Sequence, residues 1–452
     1  MASDHQNNIK NGAHHAHWAS GVFGEKSRGD CYCGAVSAVA ACSPAASEHS
    51  GDTNTSSGDG PTEITFSYLW AGDEASAIED IITNFNESQD EVVVKGISSP
   101  DFQKQLTSLS ASKGSFDISD HFGNSVGAWA SKGILEPLDD YLEAEGVDVD
   151  DFVPAAIDQM TYDGKIYSVP IAVHSFQLLY NKELLDEAGV DVPETMDDLA
   201  VAIEKLTKTD DSGDITQLGL GDPSVDTTLT TLGYVFGGDW DRGGEPTPED
   251  AGNLAALNWY QTNITNKFDP DKIAKFESGV GEYMSAQDPF YTGKYAMVID
   301  GEWRAVNIPS IAPDFDWGVT SIPYASAGGK QTTQLTASTL FIPANAPNKD
   351  AAAKFLAYLV SDDAMADFAV ALGNIPGRTS LLDTDAFDDV PQFNVWMDAL
   401  KSENVFALNS APYAAEYATD LGAAFDDVIR GVATPEDAMA SVADRSANYA
   451  TE

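Results

Sequence analysis

Residues 164–185 read GKIYSVPIAVHSFQLLYNKELL. The run is mostly apolar, yet Pro170 sits where a continuous strand would need an N–H for its ladder. His174 lies in the middle, either as a hydrogen-bonded core histidine or as a group emerging into a site. Tyr180-Asn181-Lys182 closes the run, and a helical pattern follows. The stretch therefore reads as an apolar interior segment with a proline where a continuous strand would not want one. It is entered through a hairpin-like pair over DGKIYSVPIAV and left through a corner that caps a helix.

The flanking sequence supplies the architecture. Upstream, ITFSYLW alternates as a strand should, and Ile78, Ile81, Ile82 and Phe85 fall at helical spacing. EVVVKGI is the next strand, DFQKQLTSLSAS a helix and SFDISD a short strand. The order β-α-β-α-β predicts an α/β fold with a largely parallel sheet covered on both faces. Ligands in such sheets bind beyond the carboxyl ends of the strands, where WAGDE and SDHFGN fall. Downstream, YAMVIDGEWRAVNI reads as strand, turn and helix start. TLFIPANAPNKDAAAKFLAYLVSDDAMADFAVALG reads as a strand, a loop and two amphipathic helices. At 452 residues the chain exceeds one ordinary core, so two lobes are expected.

Composition narrows the classes of function. Seventy-two acidic against 24 basic residues give a net charge of −48, spread along the chain rather than gathered in a tail. Self-repulsion of that size destabilises a fold in dilute salt, and about 1 M salt shortens the screening length to roughly 3 Å. The pattern reads as a surface suited to a salty environment, and it makes nucleic acid a poor partner. The three cysteines, Cys31, Cys33 and Cys42, all precede the globular part, so neither a disulfide framework nor thiol chemistry is expected in the core.

Residues 34–41, GAVSAVAA, are too short to span a bilayer but suit the apolar part of an export signal. Val39-Ala40-Ala41-Cys42 resembles a lipoprotein processing site that would expose Cys42 for lipidation. The first 30 residues lack the paired arginines of a signal for folded cargo. Residues 43–62, rich in Ser, Gly, Asp and Thr, read as a flexible tether. Signal, cysteine, tether and domain in that order imply a surface-anchored layout on the outer face of the membrane.

Enzyme signatures are missing: no GxSxG, P-loop, HExxH or strand-borne GxGxxG occurs. No catalytic residue, metal ligand or cofactor is expected. Aromatic residues beside polar ones at strand ends stand out instead: Trp70, His121-Phe122, Trp240 in GGDWDR, Trp303 in DGEWR, Tyr413 and Tyr417. Flat rings flanked by hydrogen-bonding groups suit the apolar CH faces and hydroxyls of sugars, although any one such ring can equally be core packing.

VPIAVHSFQLLYNKELLDEAGVDVPETMDDL resembles the signature region of family 1 extracellular solute-binding proteins, the sugar-binding receptors of ABC importers typified by maltodextrin-binding protein. Pro170-Ile171-Ala172 and Leu178-Leu179-Tyr180-Asn181 match its pattern, and Gln177 departs where a small residue is usual. YTGKYAMVIDGEW and IPANAPNKDAAAKFLAYLVSDDAM are similar to two further family segments. The resemblance covers roughly Glu63 to Tyr449.

The resemblance implies a two-lobed fold of the periplasmic-binding-protein kind, with the ligand clamped between lobes. The first lobe would comprise 63–172 plus 338–384 and the second 173–337 plus 385–452, with crossings at Pro170–His174 and near Ala337-Ser338. Carried over by position, it implies ligand contacts from Asp73, Glu74, His121, Phe122, His174, Asp222 and Trp303, with Trp240, Tyr413 and Tyr417 as further aromatic walls. It implies a monomer that delivers a sugar to membrane permease subunits served by separate ATPase subunits. Three rival readings stay open. The same fold could bind a glycerol phosphodiester, a polyamine or a metal ion, with only Arg304, Arg242 and Lys132 near candidate positions to meet a phosphate. A surface glycosidase would need two cleft carboxylates about 5–9 Å apart. A calcium-dependent adhesion protein lacks an Asp-rich loop of ligand spacing.

Overall fold

The computed structural model describes residues 60–408 and 410–449; Cys31, Cys33, Cys42 and most of the tether lie outside them. Strand β1 (Thr62–Tyr68) buries Ile64, Phe66 and Tyr68 by simple alternation. Helix α1 (Gly72–Ser88) turns Ile78, Ile81, Ile82 and Phe85 inward. Strand β2 (Val92–Ser98) returns parallel to β1. Helix α2 (Phe102–Leu109) starts at Asp101, whose carboxylate accepts from the N–H groups of Gln103 and Lys104. Strand β3 (Ile118–Phe122) is also parallel to β1 and ends later than SFDISD suggested, so His121 and Phe122 belong to the strand itself.

Strand β4 (Val169–Asn181) is the 13-residue run that opened the sequence analysis. With β5 (Ile215–Gly221), β6 (Tyr295–Gly301), β7 (Trp317–Thr320) and β8 (Thr333–Phe341) it completes one curled sheet in the order β2-β1-β3-β8-β4-β6-β5. Helices α3 (Val225–Val235), α4 (Trp303–Ile311), α5 (Lys349–Leu359), α6 (Asp362–Leu372) and α7 (Ala414–Ile429) cover it. The parallel pairing expected from the β-α-β order holds at the flanks, for β1 with β2 and β3 and for β6 with β5. The centre differs: β4 runs antiparallel to β8, β6 and β7, and β8 antiparallel to β3. The reason is directional, because β4 and β8 carry the chain across the middle of the sheet in opposite senses.

Two apolar cores flank that middle. One joins β1, β2 and α1 to α5 and α6 through residues such as Phe66, Phe85, Phe355 and Phe368. The other joins the second half of β4 to β6, α3 and α7 through Leu178, Met297, Leu232 and Phe425. A third runs beneath both, from Phe341 and Val173 to Trp396 and Phe290. The fold is thus two-lobed, with a shared floor.

Within β4 the partners change along its length. Val169 to Ser175 pair with β8, while Phe176 to Asn181 pair with β6 and β7. The register on β8 shifts between Ser338 and Thr339, opposite Pro170. This bulge is how the sheet tolerates a proline at its centre. The fully buried Thr339 hydroxyl donates to the Val169 carbonyl at 3.0 Å, satisfying an acceptor beside the break. At the far end Asn181 caps the helix Lys182–Ala188 by accepting from Leu184 N, and Gly189 ends it at φ 60°. Gln177 also has a physical explanation. Its buried amide accepts from Ile322 N and donates to the Thr333 hydroxyl, joining β4 to two neighbouring segments.

Thr339→Val keeps the shape of the side chain and leaves the Val169 carbonyl without that donor. Chemical denaturation should show a loss of about 1–3 kcal/mol with an unchanged slope.

Candidate ligand-binding site

A cavity of about 190 Å³ opens at the centre of the sheet, between the two lobes. Its floor is the crossing pair: His174 and Phe176 share one face of β4, and Gln334 to Ser338 of β8 lie beside them. Leu69, Trp70, Glu74, Asp120, His121 and Gln159 form the first-lobe wall. Ser224, Thr227, Tyr283, Trp303 and Asn307 form the opposite one.

Trp303 begins α4 and is half-buried. Its indole N–H donates to the Tyr283 hydroxyl at 2.7 Å, and its ring meets His174 and Phe176 edge-on at centroid distances of 5.8 and 6.0 Å. The GxW spacing has a steric cause: a Cβ at position 301 would come within 2.2 Å of the Trp303 ring. Behind the ring, the Tyr283 hydroxyl bonds to Asp300. Arg304 donates from Nε to Asp300 at 2.7 Å and from Nη1 to Asp288 at 2.8 Å, all three being almost fully buried. Burial pushes the Asp300 carboxyl above its ordinary range, against the pull of Arg304.

His174 resolves the choice between core and site by doing both. Nδ1 lies 2.7 Å from Oε1 of the fully buried Glu302, and Nε2 lies 3.2 Å from the Ser338 hydroxyl, while the ring lines the cavity. The imidazole therefore ties the segment just before Trp303 to both crossing strands.

The first-lobe wall is rich in polar groups. Asp120 accepts from Leu69 N at 2.8 Å, and burial, with a smaller contribution from Glu74, pushes its carboxyl up to about 8. Burial raises Glu74 to about 7 and lowers His121 to about 4. Glu74 Oε2, His121 Nδ1 and Gln159 Oε1 are buried without a hydrogen-bond partner. None of the cavity-lining residues is Lys or Arg.

Of the residues singled out from sequence, the structure brings Glu74, His121, Phe122, His174 and Trp303 together around the cavity. The side chain of Asp73 lies outside the described residues. Four others are placed elsewhere. Trp240 is fully buried in the second lobe, where its indole N–H donates to the Thr230 carbonyl and its ring packs on Phe425. Tyr417 is buried beside it and donates to the Trp240 carbonyl. Tyr413 bonds to Asp241 and to the Gly244 carbonyl, pinning the small hairpin Asp241–Arg242 and Glu245–Pro246. Asp222 accepts from Thr228 and from Ser224 N at the foot of α3, so Ser224 and Thr227 reach the cavity in its stead. Asp120, Gln159, Phe176 and Tyr283 were not foreseen. Only Asp120 carried a signal, its place in the strand-end segment SDHFGN.

A two-lobed α/β body with an aromatic and polar cleft at its centre defines a solute-binding protein. Residues 71–366 match the model for the bacterial extracellular solute-binding protein family, and the chain belongs to that family. The maltotriose-binding protein of Pyrococcus abyssi is 24% identical over 270 residues, 59% of this chain and 55% of that protein. The chain thus matches little more than half the length of that curated relative. An uncharacterised ABC transporter extracellular-binding protein of Pyrococcus horikoshii is 26% identical over 395 residues, 83% of this chain and 84% of its own. Among solved structures, CpMnBP1 with mannotriose bound superimposes with a TM-score of 0.73 at 26% identity. That match covers 85% of this chain and 100% of the other.

The Asp120 carboxyl gives the wall a measurable pH signature. Its ordinary value of 3.8 is raised to about 8, so the folded form holds a proton that the unfolded chain has released. Its contribution to stability is therefore complete below about pH 4 and lost as pH rises through about 8. Asp120→Asn should flatten the fall in melting temperature across that window, and a profile identical to the parent's would show that Asp120 ionises normally.

Proposed function

We propose that this protein is a lipid-anchored, extracellular sugar receptor of an ABC importer, capturing a saccharide between its lobes and handing it to a membrane permease. The observation that carries the reading is Trp303. Its ring is held by Tyr283, His174 and Phe176 at a cavity whose other wall presents unpartnered polar atoms. A ring face and a ring of acceptors are the two things a sugar asks for. The relatives named for maltotriose and mannotriose support the same class of ligand.

The lobes we assign are 63–172 plus 338–384 and 173–337 plus 385–452, moving about Pro170–His174 and Ala337-Ser338. Ligand that touches both lobes favours the closed form by its differential affinity for it. Glu74, His121, Phe122, His174 and Trp303 are the contacts we assign to it. Cys42 is the lipidation site in this reading, and the acidic surface suits a salty medium. Among the described residues no helix is long and apolar enough to cross a membrane. Transport energy would come from ATPase subunits, and the receptor itself breaks no bond. A phosphodiester is disfavoured because among the described residues no Lys or Arg lines the cavity, and Arg304 is committed to Asp288 and Asp300. Among the described residues no three His, Cys, Asp or Glu side chains are grouped to hold a metal.

The test is a thermal-shift panel in molar KCl containing maltotriose, mannotriose, spermidine and glycerophosphodiesters. A ligand that binds only the folded form raises the melting temperature. At least one saccharide should do so, with a Kd near ~1 μM, about 8 kcal/mol. Trp303→Ala should lose about 2 kcal/mol or more of that affinity. Stabilisation by spermidine alone, or release of shorter sugars, would replace this reading with a polyamine receptor or a hydrolase.

A further inference from the structure

We infer that Tyr283 is the positioning residue of the cleft: its hydroxyl fixes the plane of Trp303 before any ligand arrives. The inference rests on the stacking role proposed for Trp303, and it adds a residue that neither the sequence pattern nor the family resemblance picked out.

The Tyr283 hydroxyl has one proton to give. It donates to the Asp300 carboxylate, whose two oxygens both lie 3.1 Å away, and it accepts from Trp303 Nε1 at 2.7 Å. A phenol so engaged has its proton spent, so Tyr283 has no donor left for a ligand. Its base is rigid. Asp300 also accepts from Gly301 N and Arg304 Nε, and Arg304 lies over the Tyr283 ring at 4.4 Å and is held from behind by Asp288. The loop that carries Tyr283 is fixed at the same carboxylate. Asp288 accepts from Met284 N at 2.6 Å and from Phe290 N at 2.8 Å, and Met284 holds φ at +57°.

Trp303 is therefore gripped at two points. Its backbone starts α4, directly after Glu302, which is locked to His174. Its polar edge is bonded to Tyr283, and the absence of a side chain at Gly301 lets the ring lie back against the strand. An indole without the Tyr283 bond would regain rotamer freedom and surrender it on binding. Ordering one such side chain weakens affinity by roughly 2- to 10-fold.

The experiment uses the full chain with ¹⁵N-labelled tryptophan. There are eight indole N–H groups, and Trp303→Phe assigns the one that matters. In Tyr283→Phe the Trp303 indole resonance should shift and exchange faster with solvent, while the other indoles stay in place. Affinity for whichever sugar of the panel binds should fall roughly 2- to 10-fold. In a Trp303→Phe background, where no indole N–H remains, Tyr283→Phe should cost no further affinity. An unmoved Trp303 resonance, or the same loss of affinity in both backgrounds, would overturn the inference. If no sugar binds, the receptor reading falls, and the resonance arm still decides whether Tyr283 orients the indole.

Discussion

The antiparallel pair of β4 and β8 is the constraint on which the rest of the molecule depends. These two strands carry the chain across the centre of the sheet, and they are also the floor of the cavity. An unbroken ladder would make them a stiff plank. Pro170 removes one donor, the bulge at Ser338/Thr339 absorbs the mismatch, and the Thr339 hydroxyl satisfies the Val169 carbonyl. A local weakness is thus placed at the centre of the sheet, and its polar cost is offset by one side chain. His174 and Ser338 lie on these same strands and touch each other, so the two strands are tied side chain to side chain across the cavity floor.

The second organising element is the five-residue segment from Asp300 to Arg304. Each position has a separate physical task. Asp300 is a buried acceptor near the end of β6, Gly301 clears space, Glu302 locks to His174, Trp303 lines the cavity and Arg304 neutralises the carboxylates behind it. Buried charges of this kind add little net stability. Breaking one partner is costly, however, and that cost narrows the geometries available to the ring they support.

Much of this was legible in the sequence, and the exceptions share a cause. Alternation gave β1, helical spacing gave α1, and the YNK corner gave the Asn181 cap, because each follows from short-range periodicity or capping chemistry. Trp303 was legible as a ring among polar residues in a Gly-x-Trp segment similar to the family's, and the structure adds the steric reason for the glycine. Tyr283 was not, since it sits in a loop with no period, and its role comes from Asp300 and Trp303, each well separated from it in the chain. Trp240, Tyr413 and Tyr417 misled for the opposite reason. Aromatics beside acids at turns suggested a wall of the cleft, whereas here the acids and carbonyls accept from the tyrosines and the rings pin a hairpin against α7. Sequence shows which rings have polar neighbours but not whether those neighbours are already spent.

The same distinction governs the carboxylates. With 72 acidic side chains in the chain, an aspartate is uninformative until burial separates it from the rest. Among the described residues only a few are buried: Asp117, Asp120, Asp288, Asp300 and Glu302. Salt treats the two populations differently. At about 1 M the screening length is roughly 3 Å, so the repulsion among exposed acids is largely removed. The buried ones are screened far less, because mobile ions do not enter the packed interior that surrounds them. A chain with a charge of −48 can therefore have a surface that depends on its medium and a cleft whose electrostatics do not. Asp120 and Glu74, raised chiefly by burial to about 8 and about 7, hold their protons further up the pH scale than an exposed acid does, so each can donate to a ligand as well as accept.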